Sequence, residues 1–140
     1  MIKKVEHIGV AVASIDKSVH VFRDLLGLPL EKMYSSEAIK TKIAFFPLDG
    51  CTIELIEPQD PESPAAKFLE KRGEGIHHVC LGVDNIEETL RDFEAKGIAL
   101  LNKTPRRTQD GRLIAFLHPK STHGVLIELE EMGDHHEGGK

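Results

Sequence analysis

Only two of the 140 residues are cysteine, Cys51 and Cys80, and they stand too far apart to make a C-x-x-C pair. That excludes a disulfide scaffold and a Cys-only zinc site, and it suits reduced thiols in a cytoplasm. No apolar run approaches the ~20 residues needed to cross a bilayer. Met1-Ile2-Lys3-Lys4 leads into an amphipathic segment, unlike a signal peptide. Cationic charge is in deficit, with 18 Lys+Arg against 23 Asp+Glu, a formal net charge of −5 and a pI near 5.9. General binding to nucleic acid or to an anionic membrane needs a cationic footprint, so neither partner is expected. Proline is scarce at seven residues, and 40% hydrophobic with 29% charged residues argues against disorder over most of the chain. The remaining class is a soluble globular chain, long enough for one domain or for two small modules sharing a core.

The chain repeats itself. Val5-Glu6-His7-Ile8-Gly9-Val10-Ala11-Val12 near the start is matched by Ile76-His77-His78-Val79-Cys80-Leu81-Gly82-Val83, with His78 lying 71 residues after His7. Both runs alternate β-branched and other residues as strands do. An amphipathic helix follows each. In the first half Val19, Phe22, Leu25 and Leu26 form its apolar face, Ser14 or Asp16 its cap and Gly27 its stop. In the second half Ile86, Leu90 and Phe93 form the face, Asp84 or Asn85 the cap and Gly97 the stop. Ile43-Ala44-Phe45-Phe46, an Asp49-Gly50 turn and Thr52-Ile53-Glu54-Leu55-Ile56 read as a hairpin. Ile114-Ala115-Phe116-Leu117, a longer turn over 119–124 and Leu126-Ile127-Glu128-Leu129 repeat that plan. Each half therefore reads βαβββ, over residues 1–57 and 76–131. A linker at 58–75 holds a helix capped by Ser63, with Pro64 in its first turn and Gly73 as terminator. Residues 132–140 have no apolar face and read as a disordered tail.

Residues two apart share a strand face. Ile8, Val10 and Val12 suit packing under a helix, which leaves His7, Gly9 and Ala11 opposite; Val79, Leu81 and Val83 likewise leave His78, Cys80 and Gly82. Small neighbours leave space beside each imidazole. Glu54 and Glu128 lie on the face opposite their large aliphatic neighbours, 47 and 50 residues after His7 and His78. If the halves pair about an approximate two-fold axis, two imidazoles and two carboxylates converge. Such a set suits one borderline divalent ion, Zn²⁺, Co²⁺, Ni²⁺ or Mn²⁺, and a cation would offset the cost of burying two carboxylates. Cys80 shares the face of His78 but suits a small buried thiol better than a fifth ligand. His77 points the other way and His118 sits in a turn. His135 and His136 fall in the tail.

The repeated module with facing His and Glu resembles the vicinal oxygen chelate superfamily over residues 5–130. That superfamily includes glyoxalase I, ring-cleaving dioxygenases, fosfomycin- and bleomycin-resistance proteins and methylmalonyl-CoA epimerases. More narrowly, Glu62-Ser63-Pro64, Phe68-Leu69-Glu70-Lys71, Gly73-Glu74-Gly75-Ile76-His77-His78, Val83-Asp84-Asn85-Ile86, Phe116-Leu117-His118-Pro119-Lys120 and Gly124-Val125-Leu126-Ile127-Glu128-Leu129, in that order, resemble the epimerases. The resemblance implies an α+β fold, two tandem βαβββ modules forming a curved, partly open sheet cup with helices on its outer face. It puts the family's metal ligands on His7, His78 and Glu128, and a fourth position, often Gln, on Glu54. It also implies an acyl-CoA substrate epimerised by proton abstraction alpha to the thioester, with Glu128 as the expected base, and a homodimer. One departure stands out: a glutamate that some epimerases carry before the hairpin falls on Ile43, with Glu37 and Lys42 nearby but out of register. The second acid/base is thus open between Glu54, Lys42 and a metal-bound water. Arg106, Arg107, Arg112, Lys120 and His123 are basic residues of the second half's loops and read equally well as ordinary surface charge. The competing readings are a glyoxalase I-type lyase acting on a methylglyoxal–thiol hemithioacetal and a metal-free ligand clamp of the bleomycin-resistance kind.

Overall fold

The computed structural model describes residues 1–133, so the expected disordered tail lies, from residue 134 onward, outside the described residues, together with His135 and His136. The class is α+β and the order of elements is βαβββ twice, as the repeat predicts. The first module runs β1 (Ile2–Ala11), α1 (Ile15–Val19) continuing as a π-helical stretch (His20–Leu25), β2 (Lys32–Ser36), β3 (Thr41–Leu48) and β4 (Cys51–Pro58). After the connecting helix α2 (Pro64–Arg72) come β5 (Gly75–Val83), α3 (Ile86–Ala95), β6 (Arg106–Arg107), β7 (Leu113–Leu117), a 3₁₀ turn (Pro119–Ser121) and β8 (Ile127–Glu131). Hydrogen bonding orders the strands β2-β3-β4-β1-β5-β8-β7-β6. None of the helices among the described residues is long and apolar enough to cross a membrane.

Local chemistry sets the boundaries. Ser14 caps α1 by accepting from the Lys17 N–H, Ser63 caps α2 by accepting from Ala66, and Asn85 caps α3 by accepting from Glu88. The caps left open in the sequence are thus Ser14 and Asn85. The Asp49-Gly50 pair closes a two-residue hairpin between the paired Leu48 and Cys51, and Gly50 has the positive φ of 82° that such turns require.

The expected helix face is only partly right. Val19 is buried and Phe22 packs on the same cluster, but Leu25 and Leu26 are 67% and 64% exposed. The reason is the π-helical stretch. Leu26 N–H donates to the carbonyl of Val21, five residues back, so the residues beyond Phe22 rotate off the face that a 3.6-residue period would give them.

Contacts divide the chain into two compact units, His7–His77 and the remainder, residues 1–6 with the chain from His78 onward. The division falls within β1 and within β5. In the His7–His77 unit one sheet face (Val10, Val12, Ala44, Phe46, Ile53, Leu55) packs against Ile15, Val19 and Phe22. Its opposite face packs Ala11, Ile43, Phe45 and Ile56 against Ala65, Phe68 and Leu69 of α2. In the other unit Leu81, Val83, Ala115, Leu117, Ile127 and Leu129 pack against Ile86, Leu90 and Phe93 of α3.

Candidate metal centre

Strand alternation places the polar residues on the faces that α1 and α3 do not cover. β1 and β4 run parallel with Gly9 opposite Glu54, and β5 and β8 run parallel with Cys80 opposite Glu128. The carboxylate stands in both cases against the residue two beyond the histidine, so each histidine and glutamate meet. His7 Nδ1 lies 3.3 Å from Glu54 Oε2, and His78 Nε2 lies 3.2 Å from Glu128 Oε1. Phe45 is opposite Glu54 and Phe116 opposite Glu128 in register, which extends the repetition to the apolar floor of each pair. The four residues are buried, at 2%, 7%, 8% and 6% exposure for His7, Glu54, His78 and Glu128.

One donor atom each from His7, His78 and Glu128 lie within 4.8 Å of one another, a grouping able to hold a metal ion. The donor types fit one divalent cation of borderline softness, imidazole nitrogen and carboxylate oxygen being what such ions take. Glu54, expected as a fourth ligand, meets His7 but is not part of that group. Buried carboxylates favour the same conclusion, because each is costly to ionise without nearby positive charge.

The other sequence candidates go elsewhere. His77 sets its ring edge-on to Phe68 at 5.0 Å between centroids, and His118 Nδ1 accepts from the Lys120 N–H as the cap of the 3₁₀ turn. Lys42 pairs in register with Glu57 and Ser35, on the face opposite Glu54, and Glu37 is exposed in the turn after β2. Ile43 is buried in an apolar cluster. Arg106, Arg107, Lys120 and His123 are exposed. At Gly82 an added Cβ would meet the flexible side chain of Met132.

Glu6 and Glu130, of a neighbouring cluster, escaped the sequence reading. Glu130 is 2% exposed, receives Arg112 Nη1 on Oε1 at 2.9 Å, and has the Cys80 Sγ 4.0 Å away. Glu6, His7, Cys80 and Glu130 form a second group of donors within 4.8 Å of one another. Glu130 was within reach of the period-two rule, being two residues beyond Glu128 on the same face. Arg112 also holds Asp110. Burial pushes the Asp110 carboxyl up, but hydrogen bonds from Thr108 and Arg112 outweigh it and hold the group below the usual range.

The model of the glyoxalase/bleomycin resistance protein/dioxygenase superfamily matches residues 6–116. The mitochondrial methylmalonyl-CoA epimerase of Dictyostelium discoideum is 33% identical over 131 residues, covering 93% of this chain and 79% of that protein. A hypothetical protein of Bacillus halodurans has a crystal structure similar to this one, with a TM-score of 0.89 and 42% identity over 94% of this chain and 95% of that one. A variant of Streptomyces coelicolor methylmalonyl-CoA epimerase, in complex with 2-nitronate-propionyl-CoA, is similar with a TM-score of 0.86 and 32% identity over 95% of this chain and 99% of that one.

Proposed function

The chain belongs to the glyoxalase/bleomycin resistance protein/dioxygenase superfamily, and on that premise we propose that it is a metal-dependent epimerase of methylmalonyl-CoA. The reading is carried by one observation: buried His7, His78 and Glu128 offer grouped donors in a chain similar along nearly its whole length to epimerases of that substrate. Epimerisation alpha to a thioester removes a weakly acidic C–H proton and returns one to the opposite face. When bound by His7, His78, Glu128 and Glu54, a divalent ion would supply Lewis-acid stabilisation of the charge that develops on the thioester oxygen, worth several kcal/mol.

The remaining work falls to the chain's own residues. Glu128 takes the α-proton on a carboxylate oxygen, oriented by His78 at 3.2 Å. Glu54 stands in the corresponding position of the first module and returns a proton. It is assigned that role because Ile43 is apolar and Lys42 lies on the other face. The burial of both pairs excludes bulk water and strengthens each electrostatic contact. The substrate is an acyl-CoA thioester, and the reading includes a homodimer in a cytoplasm, where Cys51 and Cys80, neither in a disulfide, stay reduced.

Metal-free protein reconstituted separately with Zn²⁺, Co²⁺, Ni²⁺ and Mn²⁺, then incubated with methylmalonyl-CoA in D₂O, tests the proposal. Deuterium uptake at the α-carbon and interconversion of the two epimers are expected with at least one ion. Absence of exchange with every ion, alongside loss of a methylglyoxal–thiol adduct, would assign the lyase reaction instead. A protein that retains no ion in metal analysis would be a ligand clamp.

A further inference from the structure

The donor set Glu6, His7, Cys80 and Glu130 is not used by the proposed centre, yet it shares His7 with it. Its imidazole, thiol and two carboxylates also suit a divalent ion, and its sulfur makes it the softer of the two. The two sets therefore compete for the same histidine, and something must decide between them.

The second set already contains a cation. Arg112 Nη1 lies 2.9 Å from Glu130 Oε1, and Glu130 is 2% exposed. The guanidinium is fixed from its other side by Asp110, 3.0 Å from Nε. The backbone of Arg112 is tied into the preceding turn, its N–H donating to Thr108 Oγ1 and its carbonyl accepting from the Thr108 N–H. A permanently charged group held at both ends keeps positive charge beside Glu130, which opposes entry of a divalent ion there. The arrangement is peculiar to the second module. Ile56 stands where Glu130 does, each paired with the isoleucine of its antiparallel neighbour, Ile43 or Ile114. Gly9 stands where Cys80 does, each opposite its module's glutamate.

We infer that Arg112 is a built-in counter-cation that closes the Glu6–His7–Cys80–Glu130 set and so directs the divalent ion to His7, His78 and Glu128. Arg112 is a positioning residue, not a ligand. The inference rests on the metal centre proposed above but not on the reaction or its substrate.

Cobalt(II) titration of the metal-free full chain, followed by absorbance, tests it without an activity assay, because sulfur ligation gives a charge-transfer band that nitrogen and oxygen ligation does not. Wild-type protein is expected to bind cobalt with no such band. Arg112→Met is expected to show the band, Arg112→Met combined with Cys80→Ser to lose it, and Arg112→Lys, which keeps the charge, to match the wild type. If Arg112→Met does not fold, Arg112→Gln carries the same expectation. Spectra of Arg112→Met that match the wild type would overturn the inference, and so would a sulfur band in the wild-type protein. Failure of the wild type to bind cobalt at all would remove the proposed centre, and this inference with it.

Discussion

Glu128 combines two demands that seldom meet in one side chain: it is 6% exposed, and it carries the proposed proton transfer. Replacing it by glutamine keeps the size and one oxygen donor while removing the basic charge. For Glu128→Gln, kcat should fall by about 10²- to 10⁴-fold while KM changes far less, since the lost interaction belongs to the transition state. Steady-state kinetics, with metal content measured on the same sample, checks this; an unchanged kcat would take Glu128 out of the role. At this scale the sequence was most legible where a rule acts twice. His7 with Glu54 and His78 with Glu128 could be read from alternation plus repetition, and the pairs do lie 3.3 and 3.2 Å apart. Glu130 obeys the same alternation, but its partner Arg112 comes from a turn ahead of β7, where no periodicity fixes a side chain's direction. The interaction was therefore invisible even though one end of it was not.

At the scale of the element, the first helix marks where pattern reading stops. A 3.6-residue period assigns Leu25 and Leu26 to the core, whereas the π-helical geometry from His20 turns them outward. The caps were legible, because Ser14, Ser63 and Asn85 act through local hydrogen bonds that sequence specifies directly. The change of helix type is not, since nothing in the local residue pattern demands it. Stability measurements separate the two geometries. Val19→Ala, deep in the cluster with Phe46 and Leu55, should cost about 1–3 kcal/mol from lost burial and an unfilled cavity. Leu25→Ser should fall within about 0.5 kcal/mol of the wild type, as exposed positions do. Urea midpoints with unchanged slopes check both values. A cost for Leu25→Ser comparable to that of Val19→Ala would restore the regular helix.

For the molecule as a whole, the duplication produces two four-stranded halves with matched register, yet the compact units do not end where the repeats do. The break after Glu6 and the break before His78 fall directly beside the two histidines. Repetition in sequence marks which residues correspond, but only strand pairing decides which contacts they share, and that pairing is non-local. The proposed centre turns this into a measurable distinction between one ion serving both His–Glu pairs and one ion serving each. An ion that binds only the folded state at about 1,000 times its Kd adds ~4 kcal/mol, enough to raise Tm by roughly 10 °C in a chain of this size. With a single shared ion, His7→Ala and His78→Ala should each abolish the whole metal-dependent rise. The double variant should then lose nothing further, because the second substitution removes a ligand from a site already empty. With two independent ions, each single variant would keep about half the rise and the losses would add. Thermal melts of the four proteins with saturating Zn²⁺ and with chelator distinguish the cases, and additive losses would overturn the shared centre.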